Sequence, residues 1–227
     1  MKIKNPDPLD IFNNANIHSN ICLFCQPVFG MRMFETENFQ LLRVNFPAEK
    51  GHLMIASKMH YGSGGEIDDA LFPELVYMKE QVTKWFRKHL SNIVFYEHGR
   101  AGGCLTSSVD GTQCEHFHLN LLPLDICINE TLKKHYDSIL LKSYEDIKEN
   151  FNQYGDYLYF ENNEEEKYFY PVQHKKVPPH FLRSLVCEKI NKTHRANWQK
   201  HQSYSEFLES YHLTKPFETY AQKNLVK

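Results

Sequence analysis

Strict alternation of polar and apolar residues marks the segment 115–123. His116, His118 and Asn120 fall on one face of a predicted strand, and the apolar residues between them fall on the other. Such a strand packs its apolar face on a core and presents its polar row to a cleft or a metal, because polar groups without partners are costly to bury. Two histidines facing solvent are the plainer interpretation when this segment is taken alone.

Hydrophobic patterns elsewhere predict a mixture of strands and helices. Apolar residues spaced by three and four from 66 to 90 predict a long amphipathic helix. Further strands are predicted at 39–46, 51–56, 92–97, 156–160 and 167–172, and further helices at 130–152, 178–190 and 203–212. The acidic stretch 162–166 reads as a solvated hairpin loop. We expect an α+β fold, with the long helix packed across an antiparallel sheet.

Two regions are expected within one structural unit. Residues 1–128 hold the polar strand and the long helix, and 129–227 form a helical and hairpin extension packed on this core. We find no internal repeat and no flexible linker between the two regions.

Composition narrows the class of protein. Hydrophobic residues make up 41% and charged residues 24% of 227 positions, which is ordinary for a globular chain and argues against disorder. The net charge of −2 does not indicate a basic face, so nucleic acid is not the expected main partner. No apolar run approaches the roughly 20 residues that span a bilayer, and the first ten residues lack a signal peptide's apolar stretch. We therefore expect a cytoplasmic protein without membrane contact.

Two of the six cysteines are close enough to form a designed pair. Cys22-x-x-Cys25 indicates metal or redox chemistry in a chain without a secretion signal, although two cysteines three apart also arise by chance. A tetrahedral zinc site would need two further nitrogen or sulfur ligands from elsewhere in the chain. His60 and His116 are the candidates.

A loop rich in glycine, serine and threonine runs from 99 to 113. Glycines let backbone N–H groups approach an anion, and the side chains of Ser108 and Gln113 offer hydroxyl and amide donors for a phosphate. A polar surface loop is the equally weighted alternative.

The order of these motifs resembles that of a known superfamily. His116-Phe-His-Leu-Asn-Leu-Leu-Pro123 is similar to the H-x-H-x-[H/Q]-hydrophobic-hydrophobic-Pro signature of the histidine-triad superfamily. That superfamily includes dinucleoside polyphosphate hydrolases, phosphorylases and galactose-phosphate uridylyltransferases. Segments 51–60 and 94–99 resemble two further motifs of the superfamily, and together the similarity covers roughly residues 21–125.

The resemblance implies a site and a reaction. As in the zinc-containing branches of the superfamily, this chain would hold a closed structural zinc on Cys22, Cys25, His60 and His116. His118 would be the nucleophile that attacks the α-phosphorus of a nucleotide or dinucleotide, giving a covalent nucleotidyl-histidine. A backbone carbonyl of the motif would fix its tautomer. His98 and Gly99 would lie beside the substrate cleft, and a hydrogen bond to the neighbouring loop is the alternative role of His98.

Asn120 departs from the superfamily pattern, which has histidine or glutamine at this position. A carboxamide can donate to a phosphate oxygen but cannot protonate a leaving group, so it favours a leaving group that is already acidic. The resemblance therefore implies a nucleotide hydrolase or nucleotidyltransferase, and a weakly active or inactive nucleotide-binding or protein-interaction module is the alternative. Small members often form homodimers, so a homodimer is one expectation, and replacement or blocking of that interface by the C-terminal extension is the alternative. Arg183 reads as a surface helix residue, with contact to a distal phosphate as the alternative.

Overall fold

A computed structural model describes residues 7–15, 22–102, 116–173 and 175–225 of the chain. Within these ranges the strands are β1 (Arg32–Glu35), β2 (Phe39–Arg43), β3 (Leu53–Ser57), β4 (Val94–Gly99), β5 (His118–Leu122), β6 (Ile139–Leu141), β7 (Tyr157–Glu161) and β8 (Lys167–Pro171). The helices are α1 (Pro8–Ala15), α2 (Phe72–His89), α3 (Asn129–Leu132), α4 (Ile147–Tyr154), α5 (Phe181–Lys189) and α6 (Tyr204–Asn224). The described strands form one antiparallel sheet in the order β1-β2-β3-β5-β4-β7-β8-β6.

The long helix α2 lies against one face of this sheet, so the expected α+β architecture is confirmed. Its apolar stripe, with Leu75, Met78 and Phe86, is fully buried in a core shared with the apolar residues of β5. The helix begins at Phe72 rather than near 66, because 3-10 turns at Gly64–Glu66 and Asp69–Leu71 precede it. A proline in its first turn suits that start.

The opposite face of the sheet is covered over β4, β7 and β8 by α5. Buried Leu182, Val186 and Cys187 of this helix pack there against apolar residues of the three strands. The polar row of β5 shares this face, because Asn120 pairs with Tyr96 in the register of β4 and β5. Helix α5 therefore lies at one side of the polar row.

The prediction of one helix over 130–152 is wrong. In this stretch α3, a 3-10 turn at Tyr144–Asp146 and α4 are helical, and β6 between α3 and that turn pairs with β8 at the end of the sheet. A capping box between Ser143 and Asp146 starts a new helical segment after that strand. The need to pair a strand with β8 thus overrides the helical pattern.

The predicted hairpin is confirmed, with Tyr157 opposite Pro171 and Glu161 opposite Lys167. Helix α6 is longer than the predicted 203–212, since buried residues at helical spacing continue past Pro216 to Ala221. Helix α1, which the sequence patterns did not predict, packs Ile11 and Phe12 beside α6. No helix among the described residues is long and apolar enough to cross a membrane.

A buried carboxylate joins β4 to the turn before α2. Glu97 Oε1 accepts hydrogen bonds from the Gly64 backbone N–H at 2.7 Å and the Tyr157 hydroxyl at 2.8 Å. Its Oε2 accepts one from the Tyr144 hydroxyl at 2.7 Å. Burial without a cationic partner among these contacts raises the pKa of Glu97 from 4.5 to about 7, although the hydrogen bonds oppose the shift.

We expect Glu97→Gln to flatten the dependence of stability on pH. Since the folded-state pKa is raised, the stabilising contribution of protonated Glu97 is fully present below about pH 4.5 and is lost as the pH rises through 7. The Tm advantage of the wild type over Glu97→Gln should therefore shrink from acidic to mildly alkaline pH. Thermal unfolding across that range measures it, with exposed Glu130→Gln as the control. Parallel profiles for the wild type and Glu97→Gln would contradict the assignment.

Candidate active site and metal cluster

Four side chains that can ligate a metal converge from three parts of the fold. Cys22 and Cys25 lie on a turn before β1, His60 follows β3, and His116 precedes β5. Their ligand atoms all lie within 4.8 Å of one another. The antiparallel pairing of β3 with β5 brings the two histidines together, because His60 follows β3 and His116 precedes β5 at the same end of that strand pair. These are the four residues singled out from the sequence, and they form a cluster that could hold a metal ion.

The separations between donor atoms fit one tetrahedral ion. Cys25 Sγ lies 3.2 Å from Nδ1 of His60 and 3.5 Å from Nδ1 of His116, and the two Nδ1 atoms are 3.2 Å apart. Cys22 Sγ is 3.5 Å from His116 Nδ1. A tetrahedron with ordinary zinc–sulfur and zinc–nitrogen bonds has edges of about 3.3–3.8 Å, so the two 3.5 Å separations fall within this range and the two 3.2 Å separations just below it. The donor set and its spacing therefore suit a thiolate-binding divalent cation.

A hydrogen bond orients one of these ligands, His116. The Nε2 atom of His116 lies 2.8 Å from the carbonyl oxygen of Ser57, which can only accept, so Nε2 carries the proton and Nδ1 is left for the metal. Burial raises the pKa of the Cys25 thiol to about 11, and the nearby charge of Cys22 adds to the shift. A cation between the two sulfurs acts in the opposite direction, because it favours both thiolates.

His118 is held with one ring nitrogen available. Its Nδ1 donates to the carbonyl oxygen of His116 at 2.8 Å, so the lone pair of a neutral ring resides on Nε2. Burial lowers the pKa of His118, while the bond to His116 opposes that shift, and the net direction favours the neutral ring. The Phe24 ring, within the Cys22–Cys25 turn, stacks on the imidazole at a centroid distance of 4.7 Å.

Asn120 has a partner to which the sequence patterns gave no role. His52 Nδ1 accepts the backbone N–H of Ala48 at 3.2 Å, so a neutral His52 carries its proton on Nε2, which lies 3.1 Å from Asn120 Oδ1. Burial lowers the pKa of His52 to about 3, helped by the charge of Arg183. The carboxamide is thereby oriented with its oxygen towards His52. A histidine at the start of an apolar strand was the available signal, but only the register of β3 and β5 brings it to Asn120.

His98 lies beside His118 and contacts the C-terminal half of the chain. Continuing the register that pairs Tyr96 with Asn120 brings His98 opposite His118. The backbone N–H of Leu182 in α5 donates to His98 Nε2 at 3.1 Å, so the neutral ring carries its proton on Nδ1. Burial, aided by the nearby His118, lowers the pKa of His98 to about 3.

The remaining predicted residues divide into three cases. Gly99 is required for packing, since an added Cβ would lie 2.1 Å from the Tyr157 ring, and its contact with substrate stays a prediction. Ser108 and Gln113 lie outside the described residues. The reading of Arg183 as a surface residue is wrong, because its guanidinium is buried and donates to the carbonyl oxygens of Phe46 and Arg195, each at 2.9 Å.

Comparisons with solved structures find proteins of the kind that the sequence resembles. A Hit-like protein involved in cell-cycle regulation from Bartonella henselae aligns with 44% of this chain and 71% of its own at 14% identity and a TM-score of 0.35. A hypothetical histidine triad nucleotide-binding protein from Sulfolobus tokodaii aligns with 90% of this chain and 96% of its own, at 13% identity and a TM-score of 0.43. A histidine triad nucleotide-binding protein from Candida albicans aligns with 59% of this chain and 99% of its own, at 16% identity and a TM-score of 0.33.

These matched structures are histidine-triad-type proteins, the superfamily to which the motifs of this chain are similar. No protein-family model matches the chain, and no curated protein matches it in sequence. The three structures share between 13% and 16% of their aligned residues with this chain.

We expect the four-residue cluster to bind one Co²⁺ with a sulfur-to-metal charge-transfer band in the near ultraviolet, because two thiolates would bind it directly. Cys25→Ser should remove most of that band. Cys127→Ser is the matched control, since Cys127 is a free, exposed cysteine outside the cluster. Absorption during a Co²⁺ titration measures both. An unchanged band in Cys25→Ser, or an equal loss in the control, would count against this site.

Proposed function

We propose that this protein cleaves phosphoric anhydride bonds of nucleoside polyphosphates or dinucleoside polyphosphates through a covalent nucleotidyl-histidine at His118. The observation that carries the proposal is the hydrogen bond from His118 Nδ1 to the carbonyl oxygen of His116. It leaves Nε2 as the nucleophilic atom, and it holds the proton that must remain on the ring when the intermediate becomes cationic.

The reaction proceeds in two displacements. Nε2 of His118 forms a bond to the α-phosphorus while the bond from that phosphorus to the leaving phosphate oxygen breaks. A water molecule or another acceptor then attacks the same phosphorus and loses its proton, and the nitrogen–phosphorus bond breaks to restore the neutral imidazole. Two displacements with a good internal leaving group replace a single difficult one.

Asn120 would donate to the phosphate from the next position of the polar row. Because His52 takes its oxygen, the Nδ2 group is the end left for other contacts, and it lies 3.5 Å from the Tyr96 carbonyl, which is long for a hydrogen bond. A carboxamide cannot supply a proton to the departing oxygen, so the substrate needs a leaving group of low basicity. A polyphosphate or a nucleotide phosphate meets that requirement.

His98 would supply a second neutral donor. With Nε2 occupied by the Leu182 N–H, its Nδ1–H is available, and none of the described residues accepts from it. A neutral imidazole can donate to a phosphate oxygen without the cost of burying a charge. Gly99, Ser108 and Gln113 complete the proposed substrate contacts, and only the sequence of the loop at 99–113 supports these three.

We further propose that the metal is zinc and that its role is structural. Two thiolates and two imidazoles make a closed tetrahedral set, which leaves no ligand position for water or substrate. These residues would fix the Cys22–Cys25 turn against the start of β5, which keeps the Phe24 ring on His118. No step of the reaction requires the metal.

The second candidate is a nucleotide-binding or protein-interaction module without catalysis. It is favoured by Asn120, which is 6% exposed and has its oxygen bound to His52, as a purely structural residue would. The same fold would then hold a nucleotide without turning it over.

Incubation with a dinucleoside polyphosphate labelled at the α-phosphate should leave acid-labile, base-stable label on the wild-type chain. His118→Ala should remove it, because a phosphoramidate cannot form without the ring nitrogen. His135→Ala is the control, since His135 is exposed on another part of the surface. If no adduct is trapped and no nucleotide of a panel is turned over, only the binding module remains as a function.

Substitution of Asn120 should separate catalysis from binding. We expect Asn120→Ala to lower kcat/KM by about 10²-fold, the usual effect of losing one positioned donor, while nucleotide affinity changes little. Asn120→His should also lower activity if the site is tuned to a carboxamide. A large gain of hydrolysis in Asn120→His would instead indicate a decayed catalyst. Steady-state kinetics and equilibrium dialysis with a nucleoside monophosphate make the distinction.

A further inference from the structure

A second group of possible metal ligands lies near the start of α6. His194, His201 and Glu206 each offer one ligand atom, and these atoms lie within 4.8 Å of one another. None of the three belongs to the cluster or to the polar row described above. His194 is exposed, and the other two are partly buried.

The carboxylate of this group is oriented before any ion binds. Arg195 donates to Glu206 Oε1 from Nε at 3.1 Å and from Nη2 at 2.6 Å, which leaves Oε2 for another partner. Ser203 caps α6 by accepting the backbone N–H of Glu206 at 3.4 Å, so the main chain of Glu206 is fixed as well. A preorganised ligand loses little conformational freedom when it binds a metal.

The spacing of the ligand atoms suits a shared ion. His201 Nε2 lies 2.9 Å from Glu206 Oε2, close to the distance of about 3.0 Å between neighbouring ligands of an octahedral ion with bonds near 2.1 Å. The His194 and His201 rings have centroids 4.8 Å apart at an interplanar angle of 78°. His194 is exposed on the 3-10 turn Thr193–Arg195, whereas Arg195 of the same turn is buried.

The surrounding charges permit a cation with nitrogen ligands. Arg195 and Lys192 are matched by Glu206 and Glu49, so the group as a whole is close to neutral. Two imidazoles and one carboxylate suit nickel, cobalt or zinc, whereas calcium and magnesium need more oxygen ligands.

We propose that His194, His201 and Glu206 form a second, surface metal site for a divalent cation of the nickel–cobalt–zinc class, with water in its other positions. The proton on His201 Nε2 moves to Nδ1, or to solvent from a doubly protonated ring, as the metal replaces it on Nε2. The ion ties the Thr193–Arg195 turn and residue 201 to the first turn of α6. Arg195 also donates to the carbonyl oxygen of Ala48 at 3.3 Å, so the tie reaches the turn that precedes His52.

The test is calorimetric titration with Ni²⁺, at about pH 7.5, of protein already loaded with one equivalent of Zn²⁺. We expect one saturable, micromolar Ni²⁺ site in the wild type, weakened at least about tenfold in His194→Ala, because one of three protein ligands is lost. His212→Ala, which removes an exposed α6 histidine outside the group, should bind as the wild type does.

Thermal unfolding supplies an independent measure. Ni²⁺ should raise the Tm of the wild type in step with the binding isotherm, and at the same Ni²⁺ concentration it should raise that of His194→Ala clearly less. His194 is exposed, so this variant should unfold like the wild type when a chelator is present. Binding only at millimolar Ni²⁺, or equal weakening in His194→Ala and His212→Ala, would overturn the proposal.

Discussion

One hydrogen bond decides what this site can do: the bond from Nδ1 of His118 to the carbonyl oxygen of His116. A neutral imidazole has one proton, so fixing it on Nδ1 makes Nε2 the basic and nucleophilic atom. The accepting carbonyl belongs to the residue whose ring points into the Cys22–Cys25–His60 cluster. Anything that holds His116 in place therefore also holds the orientation and tautomer of His118.

Burial favours the neutral form of the two histidines around this bond, His52 and His98. His52 and His98 both have a pKa lowered to about 3, chiefly by burial, and each has one nitrogen engaged by a backbone N–H. Each is thus a neutral ring with a known tautomer. Each can donate a hydrogen bond while buried, without the desolvation cost of a charged group.

The C-terminal half contributes directly to the surroundings of the polar row. The Leu182 N–H of α5 fixes the tautomer of His98, and β7 pairs along β4 in the same sheet. Arg183 and Arg195 donate to the carbonyl oxygens of Phe46 and Ala48, just before His52. These contacts link the C-terminal half to the turn from which His52 reaches Asn120, so the extension supports the surroundings of the polar row.

The sequence by itself determined the α+β class, the two-faced strand β5 and the four possible metal ligands, because period-two alternation and ligand type are local properties. Tertiary structure decided the rest. Pairing with β8 turned part of the predicted helix at 130–152 into β6, and packing kept α6 helical past Pro216. The sheet register, which no local pattern specifies, placed His52 on Asn120 and His98 beside His118. The burial of Arg183 depended on carbonyl oxygens at residues 46 and 195, so the sequence pattern alone could not predict it.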